Sequence, residues 1–184
     1  MKLIIVDLDG TLFDTKDVNY YAYKEAIVPY GYDIDYKYYR KFCNGRHYLD
    51  FLPQITTNDK DILTAMHKAK KIAYRNHLDK AVLNNGLVDM IRLMKSEYKT
   101  AVVTTASREN CYDILNQFDL INLFDLVLTH DDITEAKPNP EGFLKAMHYF
   151  GVKPADTIIF EDSDIGLEAA ERSGAYYYRT YRFN

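Results

Sequence analysis

The chain has 184 residues, of which 47% are hydrophobic and 27% are charged, and its formal net charge is −4 at pH 7. This length predicts one domain, or one domain with a small insert, with enough apolar residues for a substantial core. The negative charge disfavours nucleic acid as a partner, because domains that bind it carry basic faces. The two cysteines, Cys43 and Cys111, lack the CxxC spacing of metal sites, and we expect two reduced thiols.

The apolar segments of the chain are short. None approaches the roughly 20 residues of a membrane span. The first of them, residues 3–6, is also too short for the core of a signal peptide, and Asp7 follows it at once. We therefore expect a cytoplasmic protein without a membrane partner, either a monomer or a homodimer.

The first predicted strand carries the strongest functional signal. Leu3 to Val6 is a buried-type apolar run, and Gly10 ends it, so that Asp7 and Asp9 lie at its carboxyl end. In an open α/β sheet that end binds ligands. Two carboxylates this close repel each other unless a cation lies between them, and oxygen ligands favour Mg²⁺. By itself the pattern is also typical of a solvated acidic turn or a helix N-cap.

Residues 15–80 carry helical patterns, at 20–28, 36–42 and 60–77, with no convincing strand between them. They predict a helical insert directly after the first strand. The segment Asn44-Gly45-Arg46-His47 interrupts this pattern with a glycine-containing loop. Arg46 could bind a second phosphate or a carboxylate of a substrate bidentately, although most surface arginines are only solvated.

Strands and helices alternate in the rest of the chain. Apolar stripes near the helical period cover residues 87–94, 112–118 and 143–150. The predicted strands are Lys2–Asp7, Thr100–Thr105, Leu126–Thr129, Thr157–Glu161 and Ala175–Arg179. This alternation predicts an α/β fold, a Rossmann-like parallel sheet with helices on both faces.

Polar residues follow the later strands as well. Thr105 ends the second strand, and Ser107 precedes a helix. A hydroxyl and a backbone N–H near a helix N-terminus form an anion site, for which Thr105 is the first candidate and Thr104 the alternative. Ser107 is a candidate ligand too, or only the N-cap of that helix.

Two further segments complete the set of candidate site residues. Lys137 precedes Pro138, which favours an extended backbone just ahead of a helix. Glu161 and Asp162 end the fourth strand and are candidate metal ligands, Asp162 directly and Glu161 directly or through water. No His/Cys spacing suggests zinc.

Together these segments resemble the four motifs of the haloacid dehalogenase (HAD) superfamily, in the correct order. The branch with a small helical cap, which includes phosphoglycolate phosphatases and β-phosphoglucomutases, is the most similar. The resemblance implies a catalytic core of residues 1–14 and 81–184 and a cap of residues 15–80 that selects the substrate. The motifs are Asp7-Leu8-Asp9-Gly10-Thr11-Leu12-Phe13-Asp14, Thr105-Ala106-Ser107, Lys137-Pro138 and Glu161-Asp162-Ser163.

The resemblance implies a phosphoric monoester hydrolase with Mg²⁺ as cofactor and a small phosphorylated metabolite as substrate. Asp7 would be the nucleophile that forms an aspartyl-phosphate. Asp9 would be the general acid and base, and Lys137 would neutralise charge on the transferring phosphoryl group.

The remaining roles concern ligand binding. The predicted phosphate ligands are Thr105 and Lys137. The predicted metal ligands are Asp7, Asp9 through its backbone carbonyl, Asp162 and Glu161. The predicted specificity residues are Arg46 and Ser107.

Two alternative functions are open. A sugar phosphomutase of the β-phosphoglucomutase type has the same core and cap, but such mutases carry a histidine early in the cap where this chain has Asn19. A non-catalytic binding domain would be expected to lack some of the motif residues, and all of them are present. Asp9 favours phosphoryl transfer over carbon–halogen cleavage, because superfamily members that cleave such bonds generally lack this aspartate.

Overall fold

The computed structural model describes residues 2–181 and 183. They form two compact units. The core unit consists of the chain up to Asp14 and from Val82 onward, and the helical unit consists of residues 15–81. The second boundary lies one residue beyond the predicted end of the insert. That the helical unit acts as a substrate-selecting cap stays a prediction.

A parallel sheet of five strands, in the order β5-β4-β1-β6-β7, forms the centre of the core unit within the described residues. A separate antiparallel pair, β2 and β3, was not predicted, because two residues per strand are too few for a periodic signal. The strands are β1 (Lys2–Val6), β2 (Phe13–Asp14), β3 (Val82–Leu83), β4 (Tyr98–Val103), β5 (Leu126–Leu128), β6 (Thr157–Glu161) and β7 (Tyr176–Arg179).

The helices agree with the predicted helical patterns, except that the helices at residues 48–55 and 164–173 lie outside them. The helix at residues 48–55 was not predicted, since it follows the glycine-containing loop and includes Pro53. The helices are α1 (Lys16–Ile27), α2 (Tyr36–Tyr38), α3 (Tyr48–Ile55), α4 (Lys60–Ala73), α5 (Asn85–Met94), α6 (Arg108–Gln117), α7 (Glu141–Phe150) and α8 (Asp164–Ser173). A π-helical turn, Tyr39–Cys43, continues α2, and a 3₁₀ segment, Tyr74–Lys80, continues α4.

Strand β1 is apolar on both faces because both faces are covered. Leu3 and Ile5 point to one side and Ile4 and Val6 to the other, and none is more than 1% exposed. The cluster on the first side joins β1, β4 and β6 to α7 and α8; it contains Leu3, Ile5, Ala101, Val103, Phe143, Ala146, Met147, Val152, Ile159, Ala169, Ala170 and Ala175. The predicted fold class is confirmed.

The direction in which the chain adds strands to the sheet reverses at β1. After β1 the chain forms β4 and β5 on one side of it and then β6 and β7 on the other. In open α/β sheets ligands bind at such a switch point, beyond the carboxyl ends of the strands. The strands β1 and β6 flank this switch point. Asp7 directly follows β1, and Glu161 is the last residue of β6.

The helical unit has a core rich in aromatic side chains, which accounts for many of the 17 tyrosines. Within it the His67 ring stacks on Tyr48, with centroids 4.0 Å apart and an interplanar angle of 6°. Its Nδ1 lies 3.3 Å from the Tyr23 hydroxyl. Burial, with the charges of Lys70 and Lys71, lowers the pKa of His67 to about 4.

We expect the helical unit to lose stability as the pH falls from about 6.5 towards about 4. The unfolded chain binds a proton at His67 near pH 6.5, whereas the folded chain does so only near the lowered pKa of about 4. His67→Gln removes this titration, so its melting temperature should fall less over that interval than that of the wild type. His148→Gln, at an exposed position of α7, is the control. If the melting temperatures of the wild type and His67→Gln fall by the same amount over this pH interval, His67 is not the group responsible.

None of the described helices is both long and apolar enough to cross a bilayer.

Candidate active site

An ion-paired group of three side chains lies at the carboxyl end of β1. The Lys137 ammonium donates to Asp7 Oδ1 at 2.5 Å and to Glu161 Oε1 at 2.7 Å. All three side chains are buried, with exposed fractions of 8% for Lys137, 9% for Asp7 and 1% for Glu161. A loop lysine thus joins the acids of two adjacent strands.

Backbone and hydroxyl groups fix this group further. The carbonyl of Val103, the last residue of β4, accepts a third hydrogen bond from Lys137 Nζ at 3.2 Å. Glu161 Oε2 accepts from the backbone N–H of Ser163 at 2.8 Å and from its hydroxyl at 3.0 Å. Lys137 therefore has three acceptors for its three N–H groups, and both oxygens of Glu161 are hydrogen-bonded.

Burial and the charge of Lys137 act on the pKa of Asp7 in opposite directions. Burial raises the pKa of Asp7 well above its usual range; the Lys137 charge opposes this shift, and Glu161 and Asp9 reinforce it. The pKa of Lys137 is raised, because the two carboxylates outweigh the effect of its burial. A further positive charge beside Asp7 would favour its ionised form.

A carboxylate cluster next to Lys137 fits a divalent cation. Oxygen atoms of Asp7, Glu161 and Asp162 lie within 4.8 Å of one another. Three carboxylates facing one ammonium leave two negative charges, which match the charge of Mg²⁺, and the donor set consists of oxygen alone. Asp162 Oδ1 also accepts a hydrogen bond from the Thr11 hydroxyl at 3.3 Å.

Gly10 leaves the space that Asp162 occupies. Its φ of +90° is unfavourable for residues with a side chain. A Cβ built on Gly10 in ideal geometry would lie 2.3 Å from Asp162 Oδ2. The glycine of the first motif is thus required twice, for its backbone conformation and for the approach of Asp162.

Asp9 lies beside this cluster and is partly exposed. Its charge contributes to the raised pKa of Asp7. The turn that holds it is closed by the backbone N–H of Gly10, which donates to the carbonyl of Phe13 at 2.7 Å. Its predicted metal contact, through the backbone carbonyl, stays a prediction.

The two threonines after β4 differ in exposure. Thr104 is buried, and its hydroxyl accepts a hydrogen bond from the backbone N–H of Ala106 at 3.1 Å. Thr105, the first candidate for phosphate binding, is exposed, so its hydroxyl is accessible to a ligand. Ser107 is the N-cap of α6, with Oγ accepting from the Asn110 N–H at 3.5 Å; its specificity role stays a prediction.

Arg46 and Asn19 belong to the helical unit. Arg46 is exposed, and its guanidinium donates to the carbonyls of Phe42 at 3.1 Å and Asp50 at 3.4 Å, which close the loop between the π-helical turn and α3. The Asn19 amide donates to the Thr15 carbonyl and accepts from the ammonium of the buried Lys70. Both residues thus have local structural roles.

Three contributors to the site were not predicted: the Thr11 hydroxyl, Ser163 and the Val103 carbonyl. Thr11 and Ser163 lie inside the quoted motifs, and this position was their only sequence indication of a role in the site. The Val103 carbonyl has none in the sequence, because any residue type supplies it.

The chain matches known proteins along nearly its whole length. The family model of haloacid dehalogenase-like hydrolases matches residues 4–179. The validoxylamine A 7'-phosphate phosphatase of Streptomyces hygroscopicus subsp. limoneus is 28% identical, over 95% of this chain and 83% of that protein. The fructose-1-phosphate phosphatase YqaB of Escherichia coli is 28% identical, over 93% of this chain and 92% of that protein.

A solved structure is similar throughout as well. A Thermotoga maritima protein that bears the provisional name β-phosphoglucomutase has a TM-score of 0.78 and 26% identity, covering 100% of this chain and 88% of that one. The predicted family and the predicted hydrolase class are confirmed by these matches. The chain belongs to the haloacid dehalogenase-like hydrolases.

Proposed function

We propose that the protein is a Mg²⁺-dependent phosphatase that hydrolyses a small phosphorylated metabolite through an aspartyl-phosphate on Asp7. The observation that carries this proposal is the pairing of Lys137 with both Asp7 and Glu161 beside the carboxylate cluster. Asp7 and Lys137 offer a nucleophile and a fixed positive charge for a phosphoryl group.

In the first step, an oxygen of Asp7 attacks phosphorus, and the bond to the leaving oxygen breaks. Asp9 in its protonated form gives its proton to that oxygen, so that an alcohol departs. In the second step, Asp9 takes a proton from water, whose oxygen attacks phosphorus and breaks the bond to Asp7. Inorganic phosphate is released, and both aspartates regain their starting states.

The other residues hold and stabilise these groups. Lys137 lies against the nucleophile, where it can neutralise charge on the phosphoryl oxygens. Thr105 and the N-terminus of α6 offer hydrogen-bond donors for the phosphate. The groups that would hold Mg²⁺ are Asp7, Asp162, Glu161 and the Asp9 carbonyl. When bound, the ion would supply positive charge to the phosphoryl oxygens and favour the ionised form of Asp7.

The substrate class rests on the relatives. The two phosphatases named above act, by their names, on phosphate esters of small molecules. A metabolite panel with Mg²⁺, scored by release of inorganic phosphate, tests the proposal. We expect at least one ester to be hydrolysed and the activity to disappear when EDTA removes the metal. Hydrolysis that persists in EDTA, or no hydrolysis of any ester, would overturn it.

A sugar phosphomutase is the second candidate, favoured by the similarity to the Thermotoga maritima structure. Asn19 disfavours mutase activity. Its amide cannot transfer protons, and it is held by Thr15 and Lys70. ³¹P NMR of a hexose 1-phosphate with the enzyme separates the two, because a mutase yields the isomeric sugar phosphate and a phosphatase yields inorganic phosphate.

We further propose that Arg46 selects the substrate. Arg46→Ala should lower kcat/KM for the best metabolite of the panel by about 10- to 150-fold, since a hydrogen bond to a charged group is worth about 1.5–3 kcal/mol. A small generic ester such as methyl phosphate should be affected far less, because it lacks the group that Arg46 would bind. Steady-state kinetics on both esters measures the difference.

Arg40→Ala is the matched control for this prediction. Arg40 is an exposed arginine of the same segment, and its guanidinium lies 5.6 Å from the centroid of the Tyr36 ring. Equal losses on both esters after Arg46→Ala would leave Arg46 only its hydrogen bonds to Phe42 and Asp50.

A further inference from the structure

A glycine in the first turn of α8 lies directly against the acid that holds Lys137. Gly166 is buried, and its backbone N–H donates to the Ser163 hydroxyl at 3.0 Å. A Cβ built on Gly166 in ideal geometry would lie 1.8 Å from Oε1 and 2.3 Å from Oε2 of Glu161. The carboxylate of Glu161 therefore occupies space that any side chain at position 166 would fill.

We propose that Gly166 is a positioning residue of the active site, whose missing Cβ lets Glu161 hold Lys137 beside Asp7. Glu161 reaches its place only by lying over Gly166. From there one oxygen accepts from Lys137 Nζ at 2.7 Å, and the other accepts twice from Ser163. A side chain at position 166 would move the carboxylate, and Lys137 would lose one of its two acids.

The other helical glycines in the described part of the chain have different surroundings. A Cβ on Gly142 would meet an apolar methyl, Val103 Cγ1, at 2.7 Å, so that glycine serves close packing of α7 on the sheet. A Cβ on Gly86 would meet nothing nearer than Asn84 Oδ1 at 3.9 Å, an ordinary contact. Gly166 alone among these three borders a carboxylate of the site. Its helical backbone can also accommodate alanine.

Gly166→Ala tests the proposal, and Gly86→Ala is the matched control. In an open helical position the change to alanine favours the helix, so Gly86→Ala should keep full activity and melt about 1–4 °C higher than the wild type. Gly166→Ala should melt lower instead. The activity readout rests on the proposed function: kcat should fall by about 100-fold, the scale for a misplaced catalytic group, with KM little changed.

A double-mutant cycle shows whether the effect passes through Glu161. In a Glu161→Ala background the obstructing carboxylate is gone, and Gly166→Ala should now raise the melting temperature by about 1–4 °C. Glu161→Asp, whose shorter side chain retreats from position 166, serves as background if Glu161→Ala does not fold. In that background Gly166→Ala should lower the melting temperature less than it does in the wild type.

The melting arm of the cycle needs no turnover, so it separates this inference from the proposed function. Opposite signs of the Gly166→Ala shift with and without the Glu161 carboxylate would support the proposal. The same shift in both backgrounds, or Gly166→Ala behaving like Gly86→Ala in the wild type, would overturn it.

Discussion

Asp7→Asn is expected to abolish turnover while the chain stays folded. The change removes the nucleophile and one carboxylate of the metal cluster together, yet the amide oxygen can still accept from Lys137. For a covalent nucleophile we expect a loss on the order of 10³-fold or more in kcat. Release of inorganic phosphate from the best ester of the panel, with Mg²⁺ present, measures it.

The control for this prediction is Asp164→Asn. Asp164 is an exposed acid two residues beyond Asp162, paired with Arg179 at the surface, and its loss should change kcat little. Thermal melting of both variants shows that the fold is intact. If Asp7→Asn keeps more than a tenth of the wild-type activity, the aspartyl-phosphate mechanism is wrong for this chain.

Asp9→Asn is expected to act on proton transfer and to spare metal binding. General acid–base catalysis is typically worth about 10²- to 10⁴-fold, and we expect a loss of that size in kcat/KM for an alkyl phosphate. An aryl phosphate has a leaving group that needs little protonation, so its kcat/KM should fall much less. The second step still requires Asp9 as a base, so kcat for the aryl ester should become limited by hydrolysis of the intermediate.

Two measurements check the Asp9 prediction. Steady-state kinetics on an alkyl and an aryl ester gives the two losses in kcat/KM, and titration with Mg²⁺ followed by calorimetry compares metal affinity. Equal losses for the two esters would contradict the role of Asp9 as the general acid. A large loss of Mg²⁺ affinity would show that its carboxylate, and not its carbonyl, is the ligand.

The fold class was predictable because the local pattern of apolar residues indicates where strands and helices form. Leu3 to Val6 is apolar without alternation, as a strand buried on both faces must be, and Asp7 follows it directly. The order of the strands in the sheet has no such local signal. The proximity of Asp7 and Glu161 follows from β6 lying next to β1, and no periodicity could reveal that pairing.

Contacts within the site depend on distances that residue types do not encode. Thr104 and Thr105 have the same strand propensity, so the sequence does not show which of them is accessible. In the structure β4 ends at Val103, Thr104 is buried and Thr105 is exposed. Gly166 gave no sequence signal, because its role depends on where the Glu161 carboxylate lies. The Arg46 side chain is long, and its hydrogen bonds to Phe42 and Asp50 follow from the turn that precedes α3.

Mass spectrometry of the Asp9→Asn variant, acid-quenched while it turns over an aryl phosphate with Mg²⁺, tests the central claim most directly. The variant should form the intermediate readily and hydrolyse it slowly, so a phosphoryl group should accumulate on one peptide. Fragmentation is predicted to place that group on Asp7, and the Asp7→Asn/Asp9→Asn double variant should carry none. Aryl alcohol released with the phosphoryl group on another residue, or on no residue at all, would contradict catalysis through Asp7.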